Sequence, residues 1–141
     1  MVGWMRRHHL LKVIRGAKLQ AVMDMTDDEN VDWEKWEKII KANKIVIDRP
    51  KNTPHPRYSN RVYPLDYGYI TNTKGSDGEE VDVFVGTAKN GLVGAILTVD
   101  AIKNDKEIKL LWNTSREEAE IAVKFVNFGG QSGKLIWHGK D

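Results

Sequence analysis

The sequence of 141 residues contains no cysteine, which excludes disulfides, thiolate metal sites and thiol nucleophiles together. It has no stretch near the roughly 20 apolar residues that a membrane-spanning helix needs, so no membrane partner is expected. Near the amino terminus the apolar run Leu10-Leu11 stops at Lys12, too short for a secretory h-region. The first 23 residues also lack the serines of an organelle transit peptide, and the expected location is the cytoplasm. Gly/Ser linkers, internal repeats and low-complexity tracts are missing. There is no large excess of either charge: 22 Lys plus Arg against 20 Asp plus Glu leave +2, which does not call for nucleic acid.

The composition that remains, 40% hydrophobic and 30% charged, is that of a soluble globular chain long enough for one domain and a helical appendage. Its charges are partitioned. Residues 1–23 carry Arg6, Arg7, Lys12, Arg15 and Lys18 and no acid, whereas residues 24–34 carry Asp24, Asp27, Asp28, Glu29, Asp32 and Glu34. Leu10, Ile14, Ala17 and Ala21 recur at helical spacing and predict a basic amphipathic helix, loosely docked and without chemistry. His8 and His9 read as a solvated face, and a translation start at Met23 or Met25 is an alternative that would leave residues 1–22 peripheral. A second helix is predicted after the N-cap Asp32, with Glu34 in its first turn and Lys41 and Lys44 toward its end. Its stripe of Trp33, Trp36 and Ile40 packs either on the domain or on a partner subunit, and on the second choice the chain is a homo-oligomer. The domain reading is a helical extension over 1–43 and a β-rich domain over 44–141.

From residue 44 the texture is that of short strands: 44–47, 67–71, 81–85, 92–99, 108–112 and 135–137. Pro50, Pro54 and Pro56 make the intervening loop extended. Ser115-Arg116-Glu117-Glu118 is a capping box, and Ala119, Ala122, Val123 and Val126 give the buried face of a helix that Gly129-Gly130 ends. Many short strands and one late helix predict an α+β protein, mainly β, built on a small antiparallel OB-like barrel.

Three elements could carry chemistry. In the run 75–85 the acids Asp77, Glu79 and Asp82 stand where a Gly-rich turn enters a strand. Alternation puts Val81, Val83 and Val85 on one face and Asp82 with Phe84 on the other. A carboxylate beside an aromatic ring is costly unless it meets a cation or donors, and carboxylates gathered without histidine or cysteine suit Mg²⁺. The plainer alternative is a solvated turn, and the same two readings apply to Asp100 and Asp105. The third element is the tyrosine-rich strand Tyr63-Pro64-Leu65-Asp66-Tyr67-Gly68-Tyr69 with Arg57 and Arg61 upstream, which suits a phosphate oxyanion or else is core packing.

The run Tyr63 to Ile70, followed by Asp77-Gly-Glu-Glu-Val-Asp82 and preceded by Ile45-Val-Ile-Asp-Arg-Pro50, resembles the soluble Mg²⁺-dependent inorganic pyrophosphatases, most of all short divergent members. The resemblance covers residues 45 to about 128. It implies metal binding by Asp77, Glu79, Asp82, Asp100 and Asp105, with Glu79 also the base for the attacking water. Tyr67 then lines that site, Arg57 matches a phosphate-binding lysine, and Arg61 and Lys109 are further phosphate contacts. The implied reaction is hydrolysis of pyrophosphate, or a related small diphosphate, by metal-activated water. The sequence departs from the family at Glu79 in place of aspartate, at Ser59 in place of glutamate, at Glu107 in place of lysine and at Asn127-Phe128 in place of a Tyr-Lys pair. The alternatives are a catalytically weakened relative that binds a phosphorylated ligand, and an OB-like module that docks nucleic acid or a protein through its basic arm.

Overall fold

A computed structural model describes residues 31–139, and the predicted helix over the first 23 residues lies outside them. In chain order the described elements are α1 (Trp33–Ala42), β1 (Ile45–Arg49), β2 (Asp66–Ile70), β3 (Val81–Val85), β4 (Leu92–Asp100), β5 (Asp105–Trp112), α2 (Arg116–Val126) and β6 (Gln131–Trp137). The strands form one sheet in the order β1-β2-β3-β5-β4-β6. Every neighbouring pair is antiparallel except β3 and β5, which run parallel.

The mainly β, α+β class is that read from the sequence. Two features differ from a simple antiparallel barrel. β5 lies between β3 and β4, which produces the parallel pair, and no ladder joins β1 to β6 among the described residues. β1 ends at Arg49, before Pro50, whose nitrogen has no hydrogen to extend a ladder.

Local sequence explains most element ends. Asp32 caps α1 by accepting from the Lys35 amide at 3.1 Å. Both halves of the predicted capping box are formed at α2, where Ser115 Oγ accepts from the Glu118 amide and the Glu118 carboxylate accepts from the Ser115 amide. Burial alone would raise the Glu118 pKa, but hydrogen bonds from the Ser115 amide, the Thr87 amide and the Thr87 hydroxyl hold it below its ordinary value. β5 starts three residues before the predicted Ile108, because the hairpin ladder continues out to the pair Asp100–Asp105 despite its charged residues.

Side chains alternate across the sheet as predicted for β3. One face buries Tyr63, Leu65, Tyr67, Phe84, Ile96 and Leu111 under α2 through Ala119, Ala122 and Val126. The other buries Ile70, Val81, Val83, Leu92, Ala95 and Leu110 with Ile40 of α1. Trp33 and Trp36 are partly buried against this second cluster, so the aromatic stripe packs on its own domain. Trp33 also stacks on His138 with ring centroids 5.0 Å apart. Gly68, between two tyrosines, is where β1 crosses closest: a Cβ there would meet the Val46 carbonyl oxygen at 1.8 Å.

Candidate functional site

The polar residues of the α2-side face converge on a cavity of about 300 Å³. Its floor is the sheet, through Arg49, Tyr67, Phe84, Thr98 and Lys109. Its rim comes from the loop before β2 (His55, Tyr58, Arg61, Tyr63) and the β4–β5 hairpin (Asp100, Lys103, Asp105, Glu107). The segment after α2, with Phe128, closes the remaining side.

At the cavity floor the parallel register sets Asp82 directly beside Lys109. The Lys109 ammonium donates to Asp82 Oδ2 at 3.0 Å, to the Tyr67 hydroxyl at 3.0 Å and to Glu107 Oε1 at 3.2 Å. Tyr67 in turn donates to Asp82 Oδ2 at 2.6 Å. Asp82 and Lys109 are both buried, 1% and 5% exposed, so the two charges stabilise each other where solvent cannot. Alternation explains their position: Asp82 shares its face with Phe84, and Lys109 with Leu111.

A second cavity of about 260 Å³ lies alongside, lined by Trp36, Lys74, Asp77, Glu80, Asp82 and Lys106, and it shares Thr98 and Glu107 with the first. The carboxylates matched by the family resemblance are therefore divided. Asp77 and Asp82 border the second cavity, Asp100 and Asp105 the first, and Glu79 borders neither. Among the described residues no three or more Asp, Glu or His side chains stand close enough together to hold a metal ion. The carboxylates are also engaged within the chain. Asp77 Oδ1 accepts from the Glu79 amide at 3.0 Å, and Asp100 Oδ1 accepts from the Ile102 and Lys103 amides, each at 3.0 Å. Asp77 and Asp100 thus accept from amides of their own turns, Asp77 while buried, and Asp82 carries an ammonium as partner. As they stand, these side chains do not fit a shared Mg²⁺ cluster.

The basic residues are divided too. Arg61 reaches the cavity, donating to the Phe125 carbonyl and lying 4.2 and 4.0 Å from the ring centroids of Phe125 and Phe128. Burial pulls its pKa below the usual arginine value, against the opposing influence of Tyr63 and Tyr58. Lys109 lines the cavity as well, whereas Arg57 is exposed, sits over Tyr58 at 5.7 Å and lies outside the lining.

Arg49 and Lys103 are wall residues that sequence reasoning did not single out, and Tyr63 of the tyrosine-rich element joins them. The register shift between Ile47 and Arg49 passes over Asp48, which is exposed, while Arg49 turns inward. Such a bulge has no sequence signal here beyond a strand that ends at proline. The Tyr63 phenol is pushed up by burial, against the pull of Arg49 and Lys109.

Comparison with known proteins places names beside this geometry. The family model described as Inorganic Pyrophosphatase matches residues 27–124, so the match begins before Ile45 and takes in α1. An inorganic pyrophosphatase of Corynebacterium glutamicum is 41% identical over 51 residues, which are 36% of this chain and 28% of that protein. Among solved structures, an inorganic pyrophosphatase from Helicobacter pylori overlaps at a TM-score of 0.48 and 19% identity, covering 66% of this chain and 81% of that one. An inorganic phosphatase from Anaplasma phagocytophilum overlaps at a TM-score of 0.47 and 18% identity, with the same shares covered.

Proposed function

Because the chain belongs to the inorganic pyrophosphatase family, we propose that it hydrolyses pyrophosphate, or a related small diphosphate, to phosphate. The observation that carries this reading is a single cavity whose lining brings Arg49, Arg61, Lys103 and Lys109 together with Asp100, Asp105 and Glu107. Cationic donors neutralise phosphate oxygens, and carboxylates orient and deprotonate water, so the two sets together suit transfer of a phosphoryl group to water. In that reaction the water oxygen bonds to one phosphorus and the bridging oxygen leaves with the other phosphate. The proton passes to a carboxylate of the wall, and Asp105 is the most enclosed of these. Lys109, Arg61 and Tyr67 are assigned to the substrate, and Asp82 to holding Lys109 in position. Arg57 and Glu79 have no part in this assignment.

The family resemblance also implies Mg²⁺. The divided carboxylates give that requirement no support, and no step here passes through a metal. Phosphate release from pyrophosphate, measured with and without Mg²⁺, tests both statements: hydrolysis above background in either condition sustains the reading, and none in either removes it. A second reading, a non-catalytic binder of a phosphorylated ligand, is favoured by one observation, the ammonium of Lys109 seated on Asp82. Phosphate binding without turnover distinguishes it.

A further inference from the structure

Arg49 is the wall residue whose own contacts leave most unexplained. It is 6% exposed, yet the Nε and Nη2 hydrogens have no hydrogen-bond partner among the described residues. Nη1 donates to the Tyr63 hydroxyl. The guanidinium carbon stands 5.5 and 5.7 Å from the ring centroids of Tyr63 and Tyr67. A buried guanidinium with unmatched donors is costly, and an apolar residue at this bulge would avoid the cost. What lacks partners is chemically specific. Nε and Nη2 form one edge of the guanidinium plane, with two parallel N–H bonds whose spacing matches two oxygens of a phosphate. The bulge at Asp48 turns Arg49 inward, into the lining of a cavity that also presents Lys109, Arg61 and Lys103.

The second observation concerns Lys109. Its ammonium lies 3.0 Å from Asp82 and 3.0 Å from the Tyr67 hydroxyl. The Asp82 carboxylate, which borders the second cavity, is thereby neutralised by a side chain of the protein itself, while Lys109 lines the first. We infer that Arg49 anchors an oxyanion site in this cavity, offering its Nε–Nη2 edge to a phosphate group, and that the Lys109 ammonium serves beside it as a second cation where a divalent ion would otherwise be needed. The cavity volume of about 300 Å³ lies at the small end of ligand sites and fits phosphate or pyrophosphate better than a nucleotide. The inference rests on the proposed function only in taking a phosphate group as the ligand.

The test is a calorimetric titration of the full chain with inorganic phosphate, and separately with pyrophosphate, in excess EDTA. Saturable binding is expected without metal. Arg49→Met weakens it by about tenfold or more, as loss of a charge-assisted pair should, and Arg49→Lys is intermediate. Lys124→Met, on the exposed face of α2, binds like the wild type. Tighter binding of pyrophosphate assigns the site to diphosphates, and equal affinities assign it to a single phosphate group. Melting supplies the second readout. In phosphate-free buffer Arg49→Met melts at or above the wild-type temperature, because unmatched donors have been removed, and added phosphate raises the Tm of the wild type but not of Arg49→Met.

The inference is overturned if the wild type shows no saturable phosphate binding in EDTA, or if Arg49→Met binds as the wild type does. It is overturned equally if Arg49→Met melts far below the wild type without phosphate or fails to fold, since Arg49 would then be structural. Absent hydrolysis with Arg49-dependent binding retained removes the catalytic reading and leaves this one. Metal-dependent turnover with no metal-free binding does the reverse.

Discussion

The two faces of the sheet are built from neighbouring residues of the same strands, and they solve different problems. On the α1 side Ile70, Val83, Ala95 and Leu110 are completely buried and wholly apolar. On the α2 side the same strands bury Asp82, Lys109 and Thr98 among Tyr67, Phe84 and Ile96. Lys109 and Leu110 are adjacent in sequence, and the pleat sends one to each face. Apolar burial on one face supplies stability at low risk, because each contact is independent of charge. Buried polar groups on the other are stable only while every partner is present, and folds accept that fragility where a ligand must be recognised.

Breaking the polar face should give the largest effect. Lys109→Met leaves the Asp82 carboxylate buried without its cation, at an expected cost of about 3–5 kcal/mol in urea unfolding, and pyrophosphate hydrolysis is lost. Combining it with Asp82→Asn should recover much of the stability and none of the activity. That non-additivity identifies a coupled pair. Leu110→Ala, one residue along, should cost about 2–5 kcal/mol through an empty volume in the apolar core, with activity per folded molecule unchanged. A large loss of specific activity in Leu110→Ala would break the proposed separation of the faces.

Smaller effects sharpen it. Tyr67→Phe removes the hydroxyl shared by Asp82 and Lys109 and should cost about 1.5–3 kcal/mol, with ring packing retained. At the start of α2, away from both faces, Ser115→Ala should cost about 1 kcal/mol. The same cap carries a pH dependence. The Glu118 pKa is lowered below its ordinary 4.5, so its stabilising contribution is complete above that value and is lost as pH falls through the folded-state pKa. The stability difference between the wild type and Glu118→Gln should therefore be constant near neutral pH and shrink in acid. A difference that grows in acid would contradict the assigned direction.

Local and short-range features were readable before the structure. The caps at Asp32 and Ser115 depend on residues three apart, and the alternation of Val81, Asp82, Val83 and Phe84 depends on the pleat alone, so each was legible in a few consecutive letters. Tyr67, Asp82, Lys109 and Arg61 were named from motif and residue type, and all four border the two cavities. The outward course of Arg57, the inward turn of Arg49 and the division of the acids were not legible in the sequence. Arg57 has the right chemistry for phosphate, but its loop sends it outward over Tyr58. Arg49 depends on a bulge, and a bulge is a property of pairing between β1 and β2 that neither strand encodes alone. The meeting of Asp82 with Lys109, 27 residues apart, requires the parallel pairing of β3 with β5, which the many short strands did not suggest.

The sequence by itself determined the helix caps, the strands to within a few residues, the two-faced alternation and the family to which the chain belongs, because each is written in neighbouring residues or in an ordered set of motifs. The tertiary structure alone decided which charges meet. Ion pairing at 3 Å depends on register, crossover and bulge, and these are fixed by packing of the whole sheet between α1 and α2. Thus Asp82 looks in sequence like a ligand awaiting a metal, and in the fold it is the partner of Lys109.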